Sequence, residues 1–254
     1  FSILTILVII GIIYRTNYKL KQRKNKFIVK EVKPETDDIF TIIVEPNKPI
    51  SFNPGQFFFL RLEGRKLYAR HPFSVSSSPL EKDIQFTVKN TERFTKEAYI
   101  LKPGDEIKIE GPFGNFILNE EKKDLVFIAG GVGITPFMSM LRFIKDKKIK
   151  DINAALIYSS KTPEDIIFGK ELLAEKYPEN IKIHLTITRP SGNNWSGLTG
   201  RINEEMIKKL IPELSKPFYY ICGSTIMVEE TAKLLKLMGV AENKIKLERF
   251  GAYA

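Results

Sequence analysis

Short apolar segments dominate the chain from residue 27 to residue 118, and Pro, Gly and Asn interrupt them at intervals of roughly ten to fifteen residues. Several segments alternate apolar and polar positions, as at Ile84, Phe86 and Val88, with the period of a β-strand that has one buried face. Many short strands of this kind predict an antiparallel barrel or sandwich. The predicted strands span residues 27–33, 39–45, 55–63, 73–77, 84–89 and 105–110, and a predicted helix spans residues 95–101.

After residue 119 the pattern changes to an alternation of apolar strands with amphipathic helices. In the helix predicted at 136–148, for example, Phe137, Leu141 and Ile144 share one face. This alternation predicts an α/β domain with a parallel sheet and right-handed crossover connections. The strands are predicted at 125–129, 152–158, 181–187, 218–222 and 245–250, and the helices at 136–148, 163–177, 203–210 and 226–238.

Residues 1–14 carry no charge and precede a strongly basic segment. Eight basic residues and one acidic residue lie between Arg15 and Lys33, which accounts for +7 of the net charge of +10. Fourteen helical residues span about 21 Å, less than the roughly 30 Å of a bilayer core, so we expect the sequence to begin within a transmembrane helix. Basic residues after such a helix favour the cytoplasmic side and attract anionic headgroups. A cleaved signal peptide would instead carry its charges before the apolar run.

Length and composition limit the possible chemistry. A chain of 254 residues is long enough for two domains, and we divide it into residues 1–26, 27–118 and 119–254, the first being the partial transmembrane helix and a basic linker. The single Cys excludes an intrachain disulfide and a four-Cys iron–sulfur cluster within this chain, and with only two His no metal site is predicted. No nucleic-acid recognition motif accompanies the basic charge, so nucleic acid is not a predicted partner. Redox or transfer chemistry would therefore depend on a bound organic cofactor.

A glycine-rich segment follows the predicted strand 125–129 and opens the next helix. Glycines in such a position let backbone amides approach a pyrophosphate at a helix N-terminus, and a proline is well tolerated in the first helical turn. The third glycine of the usual dinucleotide motif is absent, so an ordinary strand-to-helix turn is the alternative. The residues concerned are Gly130, Gly131, Gly133, Thr135 and Pro136.

The end of the second strand of this domain lacks the carboxylate that would hold the ribose 2′-hydroxyl of NAD. Ser160 and Lys161 stand there instead, and Arg189 follows the next strand. Hydroxyl and cationic groups suit a 2′-phosphate, so the sequence favours NADPH over NADH. The alternative is that these are solvated loop residues.

Six motifs occur in a fixed order along the chain. They are HPFS at 71–74, VK at 88–89 with a following Thr, GPFGNF at 111–116, GGVGITP at 130–136, CGS at 222–224 and ERF at 248–250. In this order they resemble the ferredoxin–NADP reductase superfamily, and most closely the flavin dehydrogenase part of ferric reductases and NADPH oxidases. The resemblance covers about residues 27–250 and implies an FAD-binding Greek-key β-barrel followed by an NAD(P)H-binding α/β domain. It departs from the pattern at Arg93, where a Gly is usual, and at Ser224, where a Pro is usual.

The resemblance implies a role for each matching residue. Phe73 would lie against the flavin ring and Ser74 near its N5 atom, while Phe250 would cover the opposite face. Cys222 would lie beside the nicotinamide, although a small buried hydrophobic residue is the structural alternative. Catalytic roles are implied for Ser74, Cys222, Glu248 and Phe250. Cofactor binding is implied for Arg70, His71, Pro72, Phe73, Ser74, Lys89, Thr95, Gly111, Gly114, Cys222, Gly223 and Phe250.

The implied protein is a membrane flavoprotein that transfers hydride from NADPH to FAD and passes single electrons onward, with its catalytic domains on the cytoplasmic side. The electron acceptor is unknown from the sequence. The first hypothesis is haem in membrane helices upstream of residue 1, as in ferric reductases and NADPH oxidases. The second is a soluble iron–sulfur or flavin carrier. A third is a non-catalytic nucleotide-sensing module at the membrane surface.

Overall fold

The computed structural model describes residues 2–23, 26–62, 67–174, 177–190 and 195–251. A helix, α1 (Ile3–Arg23), precedes a six-stranded antiparallel sheet with one short helix, α2 (Arg93–Tyr99). The strands are β1 (Lys26–Pro34), β2 (Ile39–Pro46), β3 (Phe57–Leu62), β4 (Leu67–Ser74), β5 (Ile84–Lys89) and β6 (Glu106–Phe113).

The strand order of this sheet is β4-β3-β6-β1-β2-β5. A bridge between Val75, just after β4, and Phe86 of β5 brings the two ends of the order together and closes the sheet into a barrel. The alternation in β5 directs Ile84, Phe86 and Val88 into the barrel core. The intervening residues of β5 face outward, toward the second domain and its cavity.

The second domain is a six-stranded parallel sheet of order β10-β9-β8-β7-β11-β12, with helices between the strands. In this order β7 and β11 are neighbours, so the loops after these two strands lie side by side at one edge of the sheet. The strands are β7 (Asp124–Gly130), β8 (Asn153–Ser160), β9 (Ile181–Ile187), β10 (Leu198–Thr199), β11 (Phe218–Ser224) and β12 (Ile245–Phe250), and the helices are α3 (Thr135–Asp146), α4 (Gly169–Ala174), α5 (Glu204–Leu210) and α6 (Thr225–Leu237).

The N-terminal segment, which the sequence predicts to begin within a transmembrane helix, is the helix α1. Along α1 the uncharged residues end at Tyr14, and Arg15, Lys19, Lys21 and Arg23 occupy its later part. Within the described part of the chain, no helix combines the length and the apolar character needed to cross a membrane. The predicted basic segment also includes Lys24, which lies outside the described residues.

Two predicted elements need correction, and one short strand has no predicted counterpart. The helix predicted at 163–177 is the shorter α4, because Asp165 accepts hydrogen bonds from the backbone and hydroxyl of Thr162 and Phe168 has a positive φ of 57°. The strand predicted at 73–77 is β4, which starts earlier and tolerates Pro72 because it lies at an end of the sheet order. The two-residue β10 was not predicted. Glu63 and residues 175–176 lie outside the described residues.

Candidate functional site

A cavity of about 530 Å³ lies between the barrel and the parallel-sheet domain. Strands β4 and β5 and the start of α2 form its barrel wall, while the loop after β7 and the end of β12 form the other wall. This volume is typical of cofactor sites. The lining residues are Phe57, Arg70, His71, Pro72, Phe73, Ser74, Thr87, Val88, Lys89, Glu92, Thr95, Val132, Thr135, Glu248, Arg249, Phe250 and Gly251.

Ten of the predicted site residues meet in this cavity although they come from distant parts of the sequence. The others do not line it, and their positions are described below. Those in the cavity are Arg70, His71, Pro72, Phe73, Ser74, Lys89, Thr95, Thr135, Glu248 and Phe250; those outside are Gly111, Gly114, Gly130, Gly131, Gly133, Pro136, Ser160, Lys161, Arg189, Cys222 and Gly223.

The aromatic part of the barrel wall is built on Phe94, a buried residue of α2. The imidazole of His71 stacks on its ring with centroids 4.2 Å apart, and the ring of Phe73 stacks on it at 5.7 Å. Both stacked rings lie within 25° of the plane of Phe94. Packing on a buried ring therefore fixes the orientation of the two aromatic side chains that face the cavity.

Positive charge enters the barrel wall at two places. Arg70 places its guanidinium 5.1 Å from the ring centre of Phe59, and its Nη1 donates to Oε2 of Glu110 at 3.1 Å. The Nζ of Lys89 lies 3.7 Å from a carboxylate oxygen of Asp38. Both cations are partly exposed, so an anionic ligand in the cavity can compete with these carboxylates for them.

Thr95 uses its hydroxyl to start helix α2. Its Oγ1 accepts from the backbone N–H groups of Thr91 and Glu92, at 3.0 and 2.9 Å, and donates to the Glu92 carbonyl oxygen. The Glu92 side chain in turn accepts from the backbone of Thr95, which completes a reciprocal cap. Thr95 thus shapes the cavity through the helix start as well as through its own surface.

The glycine-rich segment after β7 forms a short 3₁₀ helix, Gly131–Ile134, that leads into α3. Gly131 is exposed and has a positive φ of 53°, whereas Gly133 is buried against β11. A Cβ on Gly133 would lie 2.4 Å from the Cys222 carbonyl oxygen, so only glycine allows this backbone approach. Thr135 donates to the Val132 carbonyl, and Pro136 lies in the first turn of α3.

Strands β11 and β12 bring the predicted catalytic residues into register, with Cys222 opposite Glu248 and Ser224 opposite Phe250. Cys222 is fully buried in the main core of the domain, and burial together with nearby Glu248 raises the pKa of its thiol. Its surroundings are therefore those of the structural alternative named above. Gly223 packs against the Gly130 backbone, and Ser224 caps α6 by accepting from the Met227 N–H at 3.4 Å.

Glu248 leads to a prediction about stability and pH. Partial burial raises the pKa of its carboxyl above the ordinary 4.5, and this outweighs the opposite effect of Arg249. A raised folded-state pKa means that the favourable contribution is present at low pH and is lost as the pH rises through that pKa. We expect Glu248→Gln to unfold at a higher temperature than wild type at pH 8, with the difference shrinking towards pH 4. If the variant and the wild type unfold at the same temperature at pH 8 as well as at pH 4, the raised pKa of Glu248 is contradicted.

The three residues predicted to bind a 2′-phosphate are placed differently from one another. Lys161 and Arg189 have exposed side chains, and the Arg189 N–H donates to the Lys161 carbonyl at 2.7 Å. They stand together beyond the ends of β8 and β9. Ser160 is 7% exposed, so its hydroxyl faces the interior rather than solvent. The neighbouring Ser159 is partly exposed.

Other residues of the site were not predicted. Phe57 lines the cavity although it belongs to none of the six motifs, and Phe94 supports the aromatic wall. The alternation of Phe57, Phe58 and Phe59 contains the missed signal, since only the middle ring is fully buried. Gly111 and Gly114 pack behind this wall, against Phe58 and Phe57 respectively. Within the described residues no group of three or more His, Cys, Asp or Glu could hold a metal ion.

Two domain families match the chain. An FAD-binding domain model matches residues 24–115, and an oxidoreductase NAD-binding domain model matches residues 127–233. The chain therefore contains an FAD-binding domain and an oxidoreductase NAD-binding domain of these two families, and its fold is that of the ferredoxin–NADP reductase family of flavin reductases. Its two domains are thus an FAD-binding barrel and a domain that binds NAD(P)H.

Known relatives share most of this chain. The glycine betaine monooxygenase reductase subunit of Chromohalobacter salexigens is 30% identical over 241 residues, which cover 91% of this chain and 65% of the relative. This chain therefore spans about two thirds of that protein's length. The FAD/NAD-binding domain of a nitric oxide dioxygenase from Vibrio cholerae has a TM-score of 0.78 at 20% identity, covering 89% of this chain and 98% of that domain. A ferredoxin NADP⁺ reductase from Neisseria gonorrhoeae with bound FAD and NADP has a TM-score of 0.76 at 24% identity, covering 88% and 97%.

Proposed function

We propose that this chain is a flavin reductase that takes two electrons from NAD(P)H and passes them one at a time to a separate acceptor. The observation that carries the proposal is the single cavity shared by the FAD-binding barrel, the glycine-rich loop and β12. Both cofactors must meet in one water-poor space for direct transfer between them. A pair of independent nucleotide-binding domains would not require such a space.

The residues of the cavity fit FAD. Phe73 and Phe250 offer flat apolar surfaces for an aromatic ring system, and Arg70 and Lys89 offer cations for a diphosphate. Ser74, which follows Phe73 at the end of β4, adds a hydroxyl to the cavity wall. When bound, FAD supplies the redox chemistry, because it accepts two electrons as a hydride and releases electrons singly.

The protein contributes binding, orientation and the exclusion of water. Phe73 is held by its stacking on Phe94, so it presents a fixed face to the cavity. The short helix from Gly131 to Ile134 leads into the N-terminal end of α3 and begins with the exposed Gly131, and this arrangement suits the phosphates of the nicotinamide nucleotide. Phe250 covers the side opposite the barrel wall, and we propose that it moves to admit the nicotinamide ring. Cys222 is buried in β11, beside the strand that carries Phe250, and contributes by packing in the core of the domain.

Anaerobic spectroscopy of the FAD-loaded chain tests the proposal. Addition of NADPH or NADH should bleach the visible flavin band, and the chain with Phe73→Ala should bleach at least about tenfold more slowly, because its ring no longer orients the cofactor. Flavin that binds but is never bleached would support a nucleotide-sensing module instead. Failure to bind FAD at all would contradict the proposal at its first step.

We also propose that NADPH is preferred over NADH, because Lys161 and Arg189 stand side by side and exposed beyond β8 and β9. Arg189→Gln should raise the KM for NADPH about tenfold or more and leave the KM for NADH unchanged, since a charge-assisted hydrogen bond to phosphate contributes about 1.5–3 kcal/mol. Lys182→Gln, an exposed cation near the other end of β9, is the matched control. Equal effects of Arg189→Gln on both nucleotides would contradict a 2′-phosphate contact.

For the acceptor we propose a protein that carries single electrons, such as an iron–sulfur protein. The chain holds one Cys and so cannot itself bind a four-Cys cluster. Its relatives include reductase subunits of monooxygenase systems, which supports a partner of this class. The test is the NADPH-dependent reduction of a [2Fe–2S] ferredoxin, compared with that of a bis-histidine haem peptide in detergent. Reduction of the haem alone would favour a membrane haem acceptor, as in ferric reductases.

Membrane attachment is a second proposal, supported by the exposure of the apolar residues of α1. Ile3, Leu7 and Ile13 are 79%, 60% and 54% exposed, and a basic segment follows them. Such a helix inserts its apolar part into lipid while the cations contact anionic headgroups on the cytoplasmic side. The chain should therefore sediment with anionic vesicles, and a variant with Leu7→Glu and Ile10→Glu should not. Equal sedimentation of the two proteins would contradict the proposal.

A further inference from the structure

Helix α3 connects the cavity to the interface between the two domains. Its first residue, Thr135, lines the cavity, and two turns later its Arg142 reaches across to the barrel. The Nη1 of Arg142 donates to the Ser76 carbonyl at 2.8 Å and to Oε1 of Gln85 at 3.2 Å. One turn earlier, the hydroxyl of Ser139 donates to the Ser77 carbonyl at 2.7 Å. The helix that begins at the nucleotide loop is thus bonded directly to the flavin domain.

The guanidinium of Arg142 is itself held from the other side. Its Nε donates to Oε1 of Glu171 at 3.0 Å and its Nη2 to Oε2 of the same carboxylate at 2.5 Å, so the pair is bidentate. The guanidinium also lies 5.0 Å from the ring centre of Phe168. The side chains of Arg142 and Glu171 are only 14% and 18% exposed. Fork geometry and burial leave this arginine one orientation, which a lysine cannot reproduce.

The barrel groups that Arg142 contacts are close in sequence to the cavity wall. Ser76 lies two residues after Ser74, and Gln85 lies two residues before Thr87 on the same face of β5. Arg142 itself does not line the cavity. It therefore fixes the two strands that carry the flavin wall relative to the helix that carries the nucleotide loop, from a position outside the cavity.

We infer that Arg142 is a positioning residue that sets the distance between nicotinamide and flavin. The inference rests on the proposed function, since it concerns the same hydride transfer. Rates of transfer depend steeply on the separation of the reacting atoms, and a displacement of about 1 Å can lower them about a hundredfold. A residue that only stabilised the fold would change the unfolding temperature and leave this rate constant unchanged in the folded protein.

The test is anaerobic stopped-flow reduction of the full FAD-loaded chain. Arg142→Gln should lower the rate constant of flavin reduction roughly 10- to 100-fold, with less than about a threefold change in the Kd of NADPH. The deuterium isotope effect with 4-deuterated NADPH should rise, because transfer becomes the slow step. Arg142→Lys should recover part of the rate, and Gln85→Ala should lower it while leaving the pair of Arg142 with Glu171 intact.

Ile207→Ala is the control for stability, since Ile207 is fully buried in the core cluster on the α5 side of the parallel sheet, away from the interface. It should lower the unfolding temperature and leave the rate constant at its wild-type value below that temperature. If Arg142→Gln does not fold, Gln85→Ala and Glu171→Gln provide the same comparison. A wild-type rate in the folded, FAD-loaded interface variants would overturn the inference. Absence of flavin reduction in the wild type would instead overturn the proposed function, and the inference with it.

Discussion

Replacing Gly133 by Ala is expected to slow flavin reduction by NADPH at least about a hundredfold while FAD stays bound. The new Cβ would lie 2.4 Å from the Cys222 carbonyl oxygen and 2.6 Å from the Gly223 nitrogen. Strand β11 cannot yield, because it pairs with β7 on one side and β12 on the other. The loop must therefore move away and take the start of α3 with it. We expect the rate constant of flavin reduction, measured by stopped flow, to fall at least about a hundredfold.

Gly169→Ala is the matched control for this prediction. It makes the same change in the same domain, but its Cβ would meet only Ile166, at the ordinary van der Waals distance of 3.6 Å. Its FAD content and reduction rate should equal those of the wild type. A Gly133→Ala protein that NADPH reduces at the wild-type rate would show that the loop after β7 does not hold the nucleotide.

Replacing Arg70 by Ala should weaken the binding of FAD about 10- to 100-fold, as measured by fluorescence titration of the apoprotein. The guanidinium lines the cavity, and hydrogen bonds to charged groups contribute about 1.5–3 kcal/mol each. In the structure it pairs with Glu110, which would have to share it with a diphosphate. We therefore also expect the loss to decrease in high salt, since exposed charge interactions are screened.

Arg61→Ala separates the cavity contact from the ion pair. Arg61 and Arg70 both lie 3.1 Å from a carboxylate oxygen of Glu110, but only Arg70 lines the cavity. Removal of Arg61 should change the FAD affinity less than about threefold, because the loss of an exposed ion pair has only a small effect on free energy. If both substitutions weaken FAD binding equally, the effect of Arg70 is to be attributed to Glu110 and not to the cofactor.

The fold follows closely from local patterns wherever a strand has its own alternating or continuously apolar sequence. The strands 84–89, 181–187 and 245–250 were predicted residue for residue, because alternation or a continuous apolar run marks them without reference to the rest of the chain. The errors lie where distant contacts decide. Strand β4 depends on pairing with β3, and β10 is two residues long and exists through its pairing with β9. Neither has a strong local signal.

The candidate site shows the same division. Contiguous motifs such as His71–Ser74 and the glycine-rich loop identified the cavity, because each motif lies on one element. The sequence does not predict which way a single side chain points. Ser160 and Cys222, both predicted to contact a cofactor, are buried. The sequence offered no sign of Arg142, because its partners Gln85 and Glu171 are distant in the chain and meet it only when both domains are assembled.

The pairing of β12 with β11 means that the two walls of the cavity are completed at different times during synthesis. The barrel wall, with Arg70 and Ser74, leaves the ribosome long before residues 248–251, which close the cavity. Domains generally fold in the order in which they emerge. A nascent barrel can therefore meet FAD as an open half-site, and its exposed face is sealed only when the last strand adds to the sheet. A chain cut short before β12 would lack the part of the cavity wall that residues 248–251 supply opposite the barrel.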